Sequence, residues 1–90
     1  MAQQQLETLF EFPCQFPIKA MAHKEVQLMA IVRAALMEVG VNPDTAEMQV
    51  RESSGGKFLS VTAIFTAQSK TQLDQLYQIL STHPEIKMVL

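Results

Sequence analysis

Met48-Gln49-Val50-Arg51, then Ser53-Ser54-Gly55-Gly56, then Phe58-Leu59-Ser60-Val61-Thr62-Ala63-Ile64-Phe65: this stretch decides the fold. Met48 and Val50 alternate with Glu47, Gln49 and Arg51, the period of a short half-buried strand. Four small residues follow, and their tolerance of positive φ suits a hairpin connection. From Lys57 to Ala67 one face then carries Leu59, Val61, Ala63 and Phe65. The other carries Phe58, Ser60, Thr62, Ile64 and Thr66, with the β-branched residues that strands favour. The first set is expected to face the helices.

Upstream, Leu28, Met29, Val32, Ala35, Leu36 and Val39 fall within an arc of about 120° when wound at 100° per residue, which predicts an amphipathic helix from about Lys24 to Val39. Gly40 is placed for a left-handed C-terminal position, and Asn42-Pro43-Asp44 then turns the chain. Before that helix, Phe16, Ile18 and Ala20 alternate with Pro17 and Lys19 as a strand. Pro17 has no N–H, so it belongs at a strand start or an unpaired position. Downstream, Ser69 and Gln72 have capping-box spacing ahead of the stripe Leu73, Leu76, Tyr77 and Leu80. After His83-Pro84, Ile86, Met88 and Leu90 are expected to alternate inward in a last strand.

The order strand-helix-strand-strand-helix-strand is the split βαβ pattern. It predicts an α+β, ferredoxin-like βαββαβ two-layer sandwich: a four-stranded antiparallel sheet with both helices on one face, because right-handed crossovers place them together. One such domain occupies residues 14–90. Residues 1–13, a polar Gln run and then Leu6, Leu9 and Phe10 at helical spacing, read as a partly ordered N-terminal segment. The sheet's second face stays open. It should carry Lys19, Met21, Phe58, Thr62, Ile64, Lys87 and Val89, a mixture of basic and apolar groups.

Ninety residues build one core with little to spare, burying roughly 60–65% of the unfolded chain's surface. A deep, walled-off active site is not expected at this size. Seven basic against nine acidic residues give a net charge of −2, with no general pull toward nucleic acid or anionic lipid. Cys14 stands alone, and the sequence has neither a charged-then-apolar leader nor a span of about 20 apolar residues. A reducing cytoplasm is the expected location, and no membrane association is expected.

Several short matches point to a family: Phe10-Glu11-Phe12-Pro13, the strand from Phe16 to Met21, the Ser-Ser-Gly-Gly turn with Lys57-Phe58 and Ser60-Val61-Thr62, Leu76-Tyr77, and Ile86-Lys87-Met88-Val89-Leu90. Together, from about Leu6 to Leu90, they resemble the YbeD-like family of small bacterial proteins of unknown function. The resemblance implies a ferredoxin-like fold similar to ACT-type regulatory domains, and an associational link to lipoate or amino-acid metabolism. It supplies no catalytic residues. Family members commonly place Gly after the strand-ending Met, where this chain has Ala22. In ACT-like domains that strand-to-helix loop is where effectors bind.

Ala22, His23 and Lys24 are therefore the candidate ligand site, a helix start with nearby donors that would take a small anionic effector. A solvated loop is the plainer alternative. No cofactor or metal is expected, since Cys14, His23 and His83 have neither helical i, i+4 spacing nor a Cys-x-x-Cys arrangement. Gly55-Gly56-Lys57 joins two antiparallel strands, so it is a hairpin and not a phosphate loop. Val26 and Met37 are expected on the outer side of the first helix, and with Phe58, Ile64 and Val89 they make the candidate partner surface. The expected function is a non-catalytic regulatory or adaptor domain acting through a protein partner, self-association or an anionic effector. The alternatives are an enzyme subunit whose site forms only at an oligomer interface, and an RNA-binding module. RNA is disfavoured by one outward aromatic and a net negative charge.

Overall fold

A computed structural model describes residues 11–90, which run in the order β1 (Cys14–His23), α1 (Leu28–Glu38), a 3-10 turn (Pro43–Thr45), β2 (Glu47–Glu52), β3 (Phe58–Ala67), α2 (Lys70–Thr82) and β4 (Met88–Val89). The strands form one antiparallel sheet in the order β2-β3-β1-β4. Ile18, Ala20 and Ala22 of β1 and Val61, Ala63, Phe65 and Ala67 of β3 share one buried cluster with residues of both helices, so the helices cover the same face. The fold is ferredoxin-like. The expected apolar turn through Leu6, Leu9 and Phe10 lies outside the described residues.

The hairpin forms where the alternation predicts it. Gly56 alone in the turn takes positive φ, at 71°, and its N–H donates to the Ser53 carbonyl at 2.9 Å. The two central strands pair from Cys14 opposite Ala67 to His23 opposite Phe58. Lys19 exchanges both backbone hydrogen bonds with Leu90, at 3.0 and 2.7 Å, so odd-numbered residues of β1 direct their main-chain groups toward β4. Pro17 lies on that side, two residues past the last exchanged pair, where its missing N–H breaks no ladder bond.

α1 ends as its sequence predicts. Gly40 has φ +83°, its N–H donates to the Met37 carbonyl at 3.0 Å, and the Val41 N–H donates to the Leu36 carbonyl at 2.9 Å. These two bonds are a Schellman motif, sealed by burial of both Leu36 and Val41. A Cβ at Gly40 would meet nothing within 4 Å, so only the backbone conformation resists substitution. Gly40→Ala is expected to cost about 1 kcal/mol in denaturant unfolding, read with an unchanged m-value. An unaltered midpoint would show that the left-handed position is not required.

α2 begins with the expected cap: the Gln72 N–H donates to Ser69 Oγ at 3.1 Å. Gln72 does more than its spacing announces. Its Oε1 accepts from the Gln68 N–H at 2.7 Å, and its Nε2 donates to the Val39 carbonyl at 2.9 Å, tying the start of α2 to the end of α1.

Three expectations are corrected. α1 starts at Leu28 rather than Lys24, because β1 runs on to His23 and residues 24–27 make a turn in which the Lys24 N–H donates to the Lys57 carbonyl at 2.9 Å. Val50 is not buried: it lies opposite Val61 on the helix side, but β2 is the edge strand and Val50 keeps 55% of its surface exposed. The inward set of the last segment is Ile86 and Val89, which pack against the core, while Met88 and Leu90 are exposed. Val89 sits opposite Ala20 and Met88 opposite Met21. β4 becomes a strand only at Met88, and a one-residue difference in register exchanges the two faces.

Candidate binding face of the sheet

The open face is built from the residues that alternate against the core. Cross-strand partners align them in rows: Glu47, Ile64 and Pro17; then Gln49, Thr62 and Lys19; then Arg51, Ser60, Met21 and Met88. Leu90 extends the second row through its paired bonds with Lys19. Phe58 and His23 form the last row, at the hairpin end. Neighbouring strands are about 4.8 Å apart, so side chains within a row touch or nearly touch.

Small Ser60 and Thr62 between long Lys19, Gln49 and Arg51 leave a depression of about 220 Å³, also bordered by Val50. Its polar side chains are hydrogen-bond donors or hydroxyls, with no carboxylate among them. The Ser60 hydroxyl, 7% exposed, lies 3.5 Å from the Arg51 carbonyl. Beside this depression, Lys87 Nζ stands 5.4 Å over the Phe58 ring and His23 meets that ring edge-on at 6.0 Å. The one side-chain carboxylate in these rows is that of Glu47, which accepts from Gln49 Nε2 at 2.8 Å.

Ion pairing among the described residues is confined to the helix layer. Arg33 and Lys70 are ion-paired on the helix layer, with Asp44 and Asp74, each at 2.5 Å. Among the described residues the other five basic side chains, Lys19, Lys24, Arg51, Lys57 and Lys87, make no ion pair. Three stand on the open face, and Lys24 and Lys57 are joined through their backbones beside His23 and Phe58. A chain of net charge −2 thus presents a cationic sheet face.

The sequence-predicted sites fare unequally. Ala22 is fully buried and faces the helices, so it cannot meet a ligand. In the adjoining turn the N–H of Lys24 donates to the Lys57 carbonyl, that of Glu25 to His23 Nδ1 at 3.3 Å, and that of Val26 to the His23 carbonyl at 2.9 Å. The backbone donors of residues 24–26 are thus spent within the protein, and the helix start lies further on at Leu28. Val26 belongs to this turn and packs partly on the core, whereas Met37, 65% exposed, sits near the other end of α1; they do not form one patch. Phe58 and Ile64 lie on the open face as expected. Val89 leaves it for the helix side, and Met88 and Leu90 take its place. Arg51, Ser60 and Gln49 complete the depression and were not among the sequence candidates; strand alternation places them outward, but only register brings them to Lys19.

A family model described as "Protein of unknown function (DUF493)" matches residues 7–90. The chain belongs to the DUF493 family. Relatives called UPF0250 protein include one from Leptothrix cholodnii, 45% identical over 93% of this chain and 92% of its own length, and one from Chromobacterium violaceum, 43% identical over 93% and 94%. A third, from Nitrosomonas europaea, is 39% identical over 93% and 97%. The YbeD-like resemblance is thereby borne out. The solution structure of protein HP0495 from H. pylori matches at a TM-score of 0.65, covering 90% of this chain and 85% of that one at 13% identity, which shows a shared fold.

Elsewhere this DUF493 chain offers less. A groove of about 520 Å³ between the helices is lined by Glu38, Val39, Asp74, Gln75, Gln78 and Ile79, two carboxylates, two amides and two apolar groups with no cation among them. Among the described residues no three His, Cys, Asp or Glu side chains gather as metal ligands, and no helix is long and apolar enough to cross a membrane. Tyr77 packs edge-on to Phe16 at 6.3 Å, and burial raises its hydroxyl pKa above the ordinary 10.0. Below pH 10 both folded and unfolded chains keep this proton; above it the unfolded chain ionises first, so stability falls as pH rises through and beyond 10. Tyr77 is the one Tyr and the chain has no Trp, so phenolate absorbance reads it directly. A native midpoint above that of the denatured chain is expected, and coincident midpoints would contradict its burial.

Proposed function

We propose that this domain is a non-catalytic adaptor or regulatory module that holds a protein partner against the open face of its sheet. The observation that carries this reading is the meeting of unpaired Lys19, Arg51 and Lys87 with Met21, Phe58, Met88 and Leu90 on one face. A face selected only for solvation needs no such apolar groups, and methionines suit a surface that adapts to what it contacts. Nucleophilic chemistry would need a base within hydrogen-bond reach of a nucleophile. Ser60 and Thr62 are lined by Lys19, Gln49 and Arg51; the Ser60 hydroxyl is turned to the Arg51 carbonyl, and no hydrogen bond joins either hydroxyl to the Lys19 amine.

The test is affinity purification at native expression, comparing the parent chain with Phe58→Glu/Met88→Glu on the sheet and Met37→Glu on the helix layer, each with light scattering for mass. A protein recovered with the parent and with Met37→Glu, but lost with the sheet variant, is the expected result. Equal recovery with all three, or substrate turnover by the purified chain or its oligomer, would defeat the reading.

A further inference from the structure

We infer that the occupant of the open face is an acidic, amphipathic protein segment, whose carboxylates seat between Lys19 and Arg51 and whose apolar side chains lie along Met21, Met88 and Leu90. This rests on the partner-binding reading above and names the partner's chemistry. Charge complementarity is the first argument. The depression presents the Lys19 ammonium, the Arg51 guanidinium and the Thr62 hydroxyl with no acid lining it, Glu47 being held at its edge by Gln49, and a carboxylate is matched by such donors, bidentately by the guanidinium. Lys87, over Phe58, extends the same sign along the face toward the hairpin end.

The interleaving is the second argument. Met88 and Leu90 are 49% and 62% exposed and stand in the Arg51 and Lys19 rows respectively. A partner bearing charge alone would leave them in water; one alternating acidic with apolar side chains covers both. The state of Phe58 is the third. Single-stranded nucleic acid is held by bases stacked on free aromatic faces. Here the one aromatic of this face is covered by Lys87 on its ring and met by His23 on its edge, so stacking would first have to displace a cation.

A random-peptide phage selection against the immobilised full chain, counter-selected on Lys19→Glu/Arg51→Glu, tests the inference. Enriched peptides are expected to carry an excess of Asp and Glu interspersed with apolar residues, and to shift the amides of Lys19, Arg51, Ser60, Thr62 and Met88. Their affinity should fall at least about ten-fold on the double charge reversal and also decline with added salt, with the thermal midpoint unchanged because neither side chain is ion-paired. Peptides that map to the sheet without acidic enrichment, or bind the reversed variant equally, overturn the acidic-partner inference alone. Peptides that map to the helix layer, or no enrichment at all, overturn it together with the partner-face reading. Polyuridylate shifting the same amides with higher affinity than any selected peptide would assign the face to nucleic acid instead.

Discussion

Phe65→Ala is expected to remove about 3–5 kcal/mol of stability, out of the roughly 5–13 kcal/mol that a domain of this length has. Phe65 is 1% exposed in β3, directly opposite Phe16, whose ring meets it at 6.4 Å and 63°. Phe16 in turn meets Tyr77 at 6.3 Å and 86°, so the ring of Phe65 supports a chain of edge contacts from β3 across β1 to α2. Removing it leaves a cavity that the central strands collapse around only in part, because the ladder that sets Phe65 opposite Phe16 holds the two backbones to each other. Urea unfolding should show a lower midpoint at constant m. Ile64→Thr, one residue away on the open face, keeps the β-branch and should stay within about 1 kcal/mol. Equal losses at the two positions would mean that the faces of β3 are not distinguished as described.

Ala22→Leu is expected to cost about 1–3 kcal/mol by overpacking. Ala22 is fully buried, opposite Leu59 and on the helix side of the sheet, and Ala20, the next residue of β1 on that side, is 1% exposed. These alanines let the helices lie close, and three added carbons have no space at close-packed density. The family resemblance puts Gly at this position, yet no described residue other than Gly has positive φ, and Ala22 sits in regular strand. Ala22→Gly should therefore cost about 1–2 kcal/mol, the greater chain entropy of Gly together with the lost burial of one methyl group. Thermal unfolding reads both, at about 4–8 °C per kcal/mol. A Leu variant as stable as the parent would show that the layers are not in close contact there.

Much of the fold was legible residue by residue. The alternation of Leu59, Val61, Ala63 and Phe65 placed the core face of β3, and Gly40 announced a Schellman end that the structure shows bond by bond. What escaped was coverage and register. Val50 has the right parity, but no local signal says that the helix layer stops short of the edge strand. Ile86 and Val89 face the core three residues apart, which no period of two predicts. The start of α1 was misplaced because residues 24–27 are held by a contact with Lys57, far along the chain.

The candidate site divides in the same way. Lys19, Phe58 and Ile64 could be assigned to the open face from alternation alone, since side-chain direction in a strand follows from the backbone of that strand. The company of Lys19 could not. Arg51 and Ser60 reach it only through pairings between residues that are distant in sequence, and only the folded chain shows that the backbone N–H groups of residues 24–26 are already bonded. Likewise the composition records seven cations without saying that two are neutralised on the helix layer while five remain unpaired. Element order, the two faces of each long strand and the helix stops are local properties, written in spacing and turn chemistry. Which charges stand together, and which backbone donors remain free, depends on register across strands, and tertiary packing alone sets that.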